Sequence, residues 1–215
     1  DEGEGNVVYD RSGNGNNGQI FGAVWSDGKY GKALSFDGVD DYVDIPDSKD
    51  INLGIHDKRT ITVWFKVFDK TISTRKQVIY EEGGIIRGLN IYIFNGLLYV
   101  GGWNEPTNES GWAGTYLTTA EIESNKWHFV AVVLEGTSTL QPSAFKAYLD
   151  GKLFGVGSGS QLWEHSGNIG IGGVSDDTQF HDGDFRGNGH YFNGLIDDLR
   201  IYPYARTLEE IREDY

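Results

Sequence analysis

Two segments at opposite ends of the chain constrain its fold more than anything between them. Near the start runs Asp10-Arg11-Ser12-Gly13-Asn14-Gly15-Asn16-Asn17-Gly18, a tight loop rich in oxygen donors. Near the end runs Phe192-Asn193-Gly194-Leu195-Ile196-Asp197-Asp198-Leu199-Arg200-Ile201-Tyr202. The two-residue period of a strand places Leu195, Asp197, Leu199 and Ile201 on one side, so Asp197 is expected in phase with apolar neighbours. A carboxylate there is costly unless a cation, several backbone N–H donors or an edge open to water compensates it. In the loop, Asp10, Ser12, Asn14 and Asn16 recur at every second residue with glycines between, the donor spacing of calcium loops, although the closing acid of an EF-hand is missing. Together the segments predict chain ends that meet around Ca²⁺, with Asp10, Asn14, Asn16 and Asp197 as metal ligands. The competing expectation is a turn in which Asp10 and the asparagines bond local backbone.

The rest of the chain reads as strands. Ile61, Val63, Phe65 and Val67 alternate with Thr60, Thr62, Trp64 and Lys66, which predicts a half-buried strand. Asn95-Gly96 between Ile91–Phe94 and Leu97–Val100 supplies the two positive φ angles of a type I′ hairpin, and Asp150-Gly151 marks a second hairpin. Trp127–Leu134 is nearly all apolar and reads as a central strand covered on both faces. Ser175–His190 reads as a long loop, and Thr207-Leu208-Glu209-Glu210 as a capping box opening a short helix. With 31 glycines, 4 prolines and 13% aromatic residues in 215 positions, an all-β single domain over 1–215 is expected, residues 1–5 frayed.

Composition narrows the partners. The net charge of −14 repels nucleic acid and suits hard cations. No apolar run approaches the ~20 residues of a membrane helix, so no membrane insertion is expected. There is no cysteine and no methionine. No disulfide or thiol chemistry is available. The chain opens without methionine, and a module cut from a larger protein is expected.

Candidate ligand groups lie on the segments between strands. Sugar binding pairs an aromatic platform with planar polar groups. Gly102-Trp103-Asn104-Glu105 and Gly111-Trp112 bracket a polar loop, Arg87 follows a Gly-Gly turn, and the 176–190 segment adds His181, Asp182, Asp184, Arg186 and His190. We expect Trp103, Trp112, Arg87, Asn104, Glu105, His181, Asp182, Arg186 and His190 to form the ligand surface, and Trp64 and Trp127 to be core. A second calcium site at Asp176, Asp177, Asp182 and Asp184 ranks below the first. No strand carries a hydrolase-like series of acids alternating with apolar residues; Glu121 and Glu123 read as a turn, and Glu81 and Glu82 are adjacent.

These segments resemble bacterial laminin-G-like, concanavalin A-like domains. The resemblance is carried in order by the Asp10–Gly18 loop, Lys32-Ala33-Leu34-Ser35-Phe36-Asp37-Gly38-Val39-Asp40-Asp41-Tyr42-Val43 and the Thr60–Lys66 strand. It continues through Lys126-Trp127-His128-Phe129-Val130-Ala131-Val132, Ala147-Tyr148-Leu149-Asp150-Gly151, Phe192–Tyr202 and Ala205–Ile211. It implies a two-sheet antiparallel jelly-roll sandwich with adjacent terminal strands. Many such domains hold one structural calcium there, and Asp197 stands where related β-glucanases have a calcium-binding aspartate. The fold hosts lectins, adhesion modules, hydrolases and lyases. The expectation drawn is a secreted or cell-surface, calcium-stabilised, non-catalytic carbohydrate-binding module with a glycan or polysaccharide ligand. The alternatives are an adhesion module for a surface protein or peptide, and a lyase or hydrolase.

Overall fold

The computed structural model describes residues 2–105 and 110–215, with the backbone but not the side chains of Phe185 and Arg186. Among these residues two large antiparallel sheets face each other. The long sheet has eight strands in the order β1 (Val7–Val8), β2 (Gly18–Phe21), β5 (Tyr42–Ile45), β14 (Ile169–Ile171), β7 (Gln77–Glu81), β8 (Arg87–Phe94), β9 (Leu97–Asn104) and β10 (Trp112–Thr119). The second has seven, in the order β13 (Lys152–Gly159), β12 (Gln141–Leu149), β11 (His128–Glu135), β6 (Lys58–Val67), β17 (Asn193–Tyr202), β4 (Lys32–Asp37) and β3 (Val24–Asp27). A hairpin, β15 (Val174–Gln179) with β16 (Phe185–Gly189), and one C-terminal helix, α1 (Leu208–Asp214), complete the described structure. This is the expected jelly-roll sandwich.

Local chemistry accounts for the joints. Asn95 and Gly96 sit at φ 48° and 84°, and Asp150 and Gly151 at 50° and 72°. Both hairpins therefore use the left-handed pair that matches strand twist. Thr207 caps α1: its hydroxyl accepts the Glu210 amide while the Glu210 carboxylate accepts the Thr207 amide. This reciprocal bonding satisfies two otherwise orphaned amides at the helix start.

The core lies between the sheets and is built from one face of each strand. Ile61, Val63, Phe65 and Val67 from β6 meet Ile91, Ile93, Leu98 and Val100 from β8 and β9. The outer face of β6 is not wet as its alternation suggested. Trp64 is 1% exposed, packed with Phe129, Ala131, Val133 and Tyr148 under Ile211 of α1, and Tyr215 stacks on it at 5.5 Å. The central position of β11 is as read, with the core on one side and this second cluster on the other.

The final strand departs from simple alternation. Its pairing with β6 shifts between Asp197 and Arg200, and Asp198 has φ +47°. This bulge resets the strand phase. Ile196 lies in the core and Leu199 and Ile201 pack against it, whereas Asp197 pairs directly with Trp64 and shares its outer face. Asp197 is thus buried, at 6% exposed, but not among the core residues with which its spacing aligned it.

Candidate functional site: the outer face of the long sheet

The two acids expected to clasp the chain ends are each held by hydrogen bonds to a nearby turn. Asp10 Oδ1 accepts the Ser12 amide at 2.8 Å, and Oδ2 accepts the Ser12 hydroxyl at 2.8 Å and the Asn16 amide at 3.0 Å. Asn17 Oδ1 closes the loop on the Asp10 amide at 2.9 Å. Burial works against the Asp10 charge, but donors from Ser12, Asn16 and Gly15 outweigh it and hold its pKa below the usual value. Asp197 accepts the Tyr30 amide at 2.9 Å and also takes the Lys29 amide. Burial pushes its pKa up against those amides.

Asp10, Asn14, Asn16 and Asp197 all line one cleft of about 870 Å³, near where β17 parts from β4 beyond the Ile196–Leu34 pair. The cleft gathers all four expected calcium ligands. Both acids accept backbone amides, each in its own turn. Among the described residues, the only group of three carboxylates with ligand atoms within 4.8 Å of one another is Asp37, Asp40 and Asp41.

The outer face of the long sheet carries a group of aromatic and charged side chains. The segment read as a loop over 175–190 is instead largely the β15–β16 hairpin, laid across β7 and β8. Phe180, fully buried, meets Tyr92 edge-on at 4.9 Å. Asn90 donates to the Gln179 carbonyl at 2.8 Å and to the Thr178 hydroxyl at 3.1 Å, and Glu81 accepts the Ser175 amide at 3.0 Å. At the tip, Lys76 reaches Asp182 at 2.8 Å and Asp184 at 3.1 Å. The hairpin thereby divides the face into two flanks.

On the β9 flank, exposed His181 lies nearly parallel over Tyr99 at 4.3 Å, and Tyr99 stacks on Tyr92 at 4.9 Å with 3° between planes. His181 Nδ1 meets the Tyr92 hydroxyl at 2.9 Å, and Tyr116 stands edge-on at 6.5 Å. Partial burial, with Lys76, lowers the His181 pKa against the opposing charge of Asp182, which favours the neutral ring. His181 and Asp182 are therefore brought together at the hairpin tip, beside an aromatic column.

Arg87 lies elsewhere, at a rim pocket of about 310 Å³ lined by Ile85, Ile86, Glu164, His165 and Asp177. Its Nε donates to the Glu105 carbonyl at 2.7 Å and its Nη1 to the Glu164 carbonyl at 3.0 Å. Arg87 and Glu105 thus meet, chiefly as a brace between loops.

The expected tryptophan platform does not form. Trp103 is 0% exposed, its indole donating to the Ile85 carbonyl at 2.9 Å, and Trp112 is 1% exposed, edge-on to Phe145 in the core. Residues 106–109, between them, lie outside the described residues. Asn104, also buried, ties the Gln161 carbonyl and the Trp163 amide to β9. His190, half-buried, packs edge-on against Phe180 at 4.8 Å. The side chain of Arg186 lies outside the described set. Of the acids suggested for a second calcium, Asp182 and Asp184 are paired with Lys76, while Asp177 lines the Arg87 pocket. Sequence reasoning passed over Tyr92, Tyr99 and Tyr116; the period-2 reading of the Asn95-Gly96 hairpin places Tyr92 opposite Tyr99 on one face and could have found that pair.

Glu81 and Glu82 are spent on structure. Glu82 pairs with Arg59 at 2.9 Å, both side chains no more than 1% exposed, and accepts the Tyr80 hydroxyl at 2.9 Å. Burial pushes Glu81 up to about 8, against the amides of Ser175, Gly83 and Gly170.

Comparison with known proteins agrees with this architecture. Domain 4 of AbnA, an extracellular arabinanase from Geobacillus stearothermophilus, solved in complex with arabinotriose, superposes with a TM-score of 0.66 at 19% identity over 96% of this chain and 91% of that one. The binding domain of Paraclostridial Mosquitocidal Protein 1 gives 0.68 at 16% identity over 98% and 49%, and that of botulinum neurotoxin serotype G gives 0.66 at 12% over 95% and 47%. The chain spans about half the length of these toxin domains. At such identities the likeness establishes the fold. No curated protein matches by sequence. A family model described as the concanavalin A-like lectin/glucanases superfamily matches residues 37–212, and the chain belongs to that superfamily.

Proposed function

We propose that this domain is a non-catalytic glycan-binding module that receives its ligand on the outer face of the long sheet. The observation that carries the reading is the exposed His181 ring on the Tyr99–Tyr92 stack, beside the carboxylate of Asp182. A flat aromatic ring presents a face to sugar C–H groups, and an adjacent carboxylate accepts hydroxyl donors. A neutral imidazole adds a hydrogen-bonding edge without a charge to desolvate. The arabinotriose complex of a similarly folded domain supports a sugar ligand, and the toxin binding domains support a recognition role in general. The burial of Glu81 and Glu82 in ion-pair and amide contacts supports a non-catalytic reading, because neither can approach a substrate.

The test is a screen of neutral and acidic oligosaccharides by isothermal titration calorimetry, with product analysis on the same samples. The expected result is binding without cleavage, weakened by His181→Ala. New reducing ends or unsaturated products would overturn the non-catalytic reading. Capture of a protein partner that no sugar competes away would overturn the glycan reading.

A further inference from the structure

The cleft of about 870 Å³ beneath the Asp10 and Asp197 turns reaches into the space between the two sheets. The pairing of β17 opens it. Up to Ile196 the strand is bonded to β4 on one side and β6 on the other. Beyond the bulge, Arg200, Ile201 and Tyr202 pair with β6 alone, so a wedge separates this half of β17 from β4. Leu199 and Ile201, both half-buried, line the wedge from one sheet, and Val43 and Ile45 of β5 line it from the other. Apolar walls that do not meet forfeit dispersion contacts that a bound chain would restore. The volume lies within the ~300–1,000 Å³ of small-molecule sites.

At one end the wall turns polar, with Lys49, Asp50 and His56 beside Ile51. The Gly54 turn gathers them: a Cβ there would meet the Lys49 carbonyl at 2.9 Å and His56 Nε2 at 3.2 Å. His56 Nε2 is enclosed and has no hydrogen-bond partner among the described residues. Burial first, then the charges of Arg59 and His165, push the His56 pKa down to about 4 against Asp57, so the ring is neutral at pH 7. Enclosed polar atoms are as a rule paired, and a neutral ring nitrogen suits a hydroxyl. Among the described residues, four lysine and arginine side chains line the cleft against four aspartates, so neither sign of head group is favoured.

We propose that this cleft binds a neutral single-chain lipid, its apolar tail between the sheets and a hydroxyl head on His56. The site lies between the sheets rather than on the outer face, and the inference does not depend on the glycan reading.

The test is calorimetry of the full chain with 1-decanol, decanoate, decyltrimethylammonium and 1-chlorodecane. One 1-decanol should bind per chain. Decanoate and the cation should each bind at least about fivefold more weakly, and the chloride, which lacks the hydroxyl, about five- to tenfold more weakly. His56→Phe should erase the preference for the alcohol over the chloride. Leu199→Trp, which fills the wedge, should abolish binding with the urea midpoint near that of the wild type; should it not fold, His56→Phe decides alone. No binding of 1-decanol would overturn the proposal and leave the glycan reading standing. Binding that survives Leu199→Trp, or exceeds one per chain, would assign the effect to surface adsorption. Tightest binding of decanoate would overturn the neutral head in favour of Lys49. Displacement of 1-decanol by Ca²⁺ alone would give the cleft to the cation.

Discussion

Each sheet has its outer face covered by a segment from late in the chain, and the two covers differ in kind. Over the seven-stranded sheet, α1 and the turn between β3 and β4 make a seal. Trp64 is packed by Phe129 at 5.3 Å, Tyr215 at 5.5 Å and Tyr30 at 5.9 Å, with the Lys29 ammonium 4.2 Å from its ring centre. Over the long sheet, the β15–β16 hairpin covers only the middle and leaves aromatic flanks on both sides. The seal rests on apolar contact, while the divider combines a smaller apolar contact through Val174 and Phe180 with hydrogen bonds and one lysine. The contrast predicts that stability is concentrated under the first, and the proposed recognition surface lies beside the second.

Truncating the centre of each cover should break or sharpen that contrast. Trp64→Ala empties a fully enclosed site and should cost about 3–5 kcal/mol of global stability, read by urea denaturation. Equal costs for Trp64→Ala and for a hairpin variant would mean that the two covers are energetically alike.

Asp197→Ala comes next. It removes the acceptor that pins Tyr30 and Lys29 over Trp64, at a cost of about 1–3 kcal/mol. Because the pin is made of amides, the loss should be the same with calcium and with EDTA. A wild-type melt that falls in EDTA, beside an Asp197→Ala melt that does not, would restore the cation clasp in place of the hydrogen-bonded one.

Phe180→Ala should cost less globally, about 1–2 kcal/mol, because the hairpin can open while both sheets stay closed. Its clearer effect should be faster protease cleavage within 174–190. A large loss of global stability without local cleavage would show that the hairpin folds with the core.

The two covers were not equally legible in the sequence. The Thr207–Glu210 capping box marked α1, because a cap is a local contract between residues three apart. The Asn95-Gly96 and Asp150-Gly151 turns were legible for the same reason. Asp197 was misplaced because a bulge at Asp198 is set by pairing with β6 and leaves no trace in alternation. Trp103 and Trp112 read as exposed because their neighbours are polar, but those neighbours spend their polarity on backbone, as Asn104 does on Gln161. The 175–190 hairpin lacked a two-residue turn signal, since Phe180 and Asp184 close it through the Phe180 amide and the Asp184 carbonyl. What covers a surface is a long-range fact, and His181 and Asp182 were singled out only because their chemistry stood out in their own segment.

The smallest expected effect tests how the divider is fastened. Burial opposes ionisation of Asp182, but the Lys76 hydrogen bond, the Asp184 amide and the Lys76 charge together hold its pKa below 3.8. A carboxylate depressed on folding contributes stability above its unfolded pKa and loses it as pH falls through the folded value. The Asp182 side chain is 42% exposed, so solvent screening limits the contribution to about 0.5 kcal/mol or less. Between pH 6 and pH 4 the protease resistance of the hairpin relative to Asp182→Asn should therefore stay constant. Below that range the advantage of the wild type should shrink, and it should also shrink in high salt at pH 7. An advantage unaffected by salt and acid would assign the fastening to Phe180 and the Asn90 hydrogen bonds alone, making the divider a smaller version of the seal across the molecule.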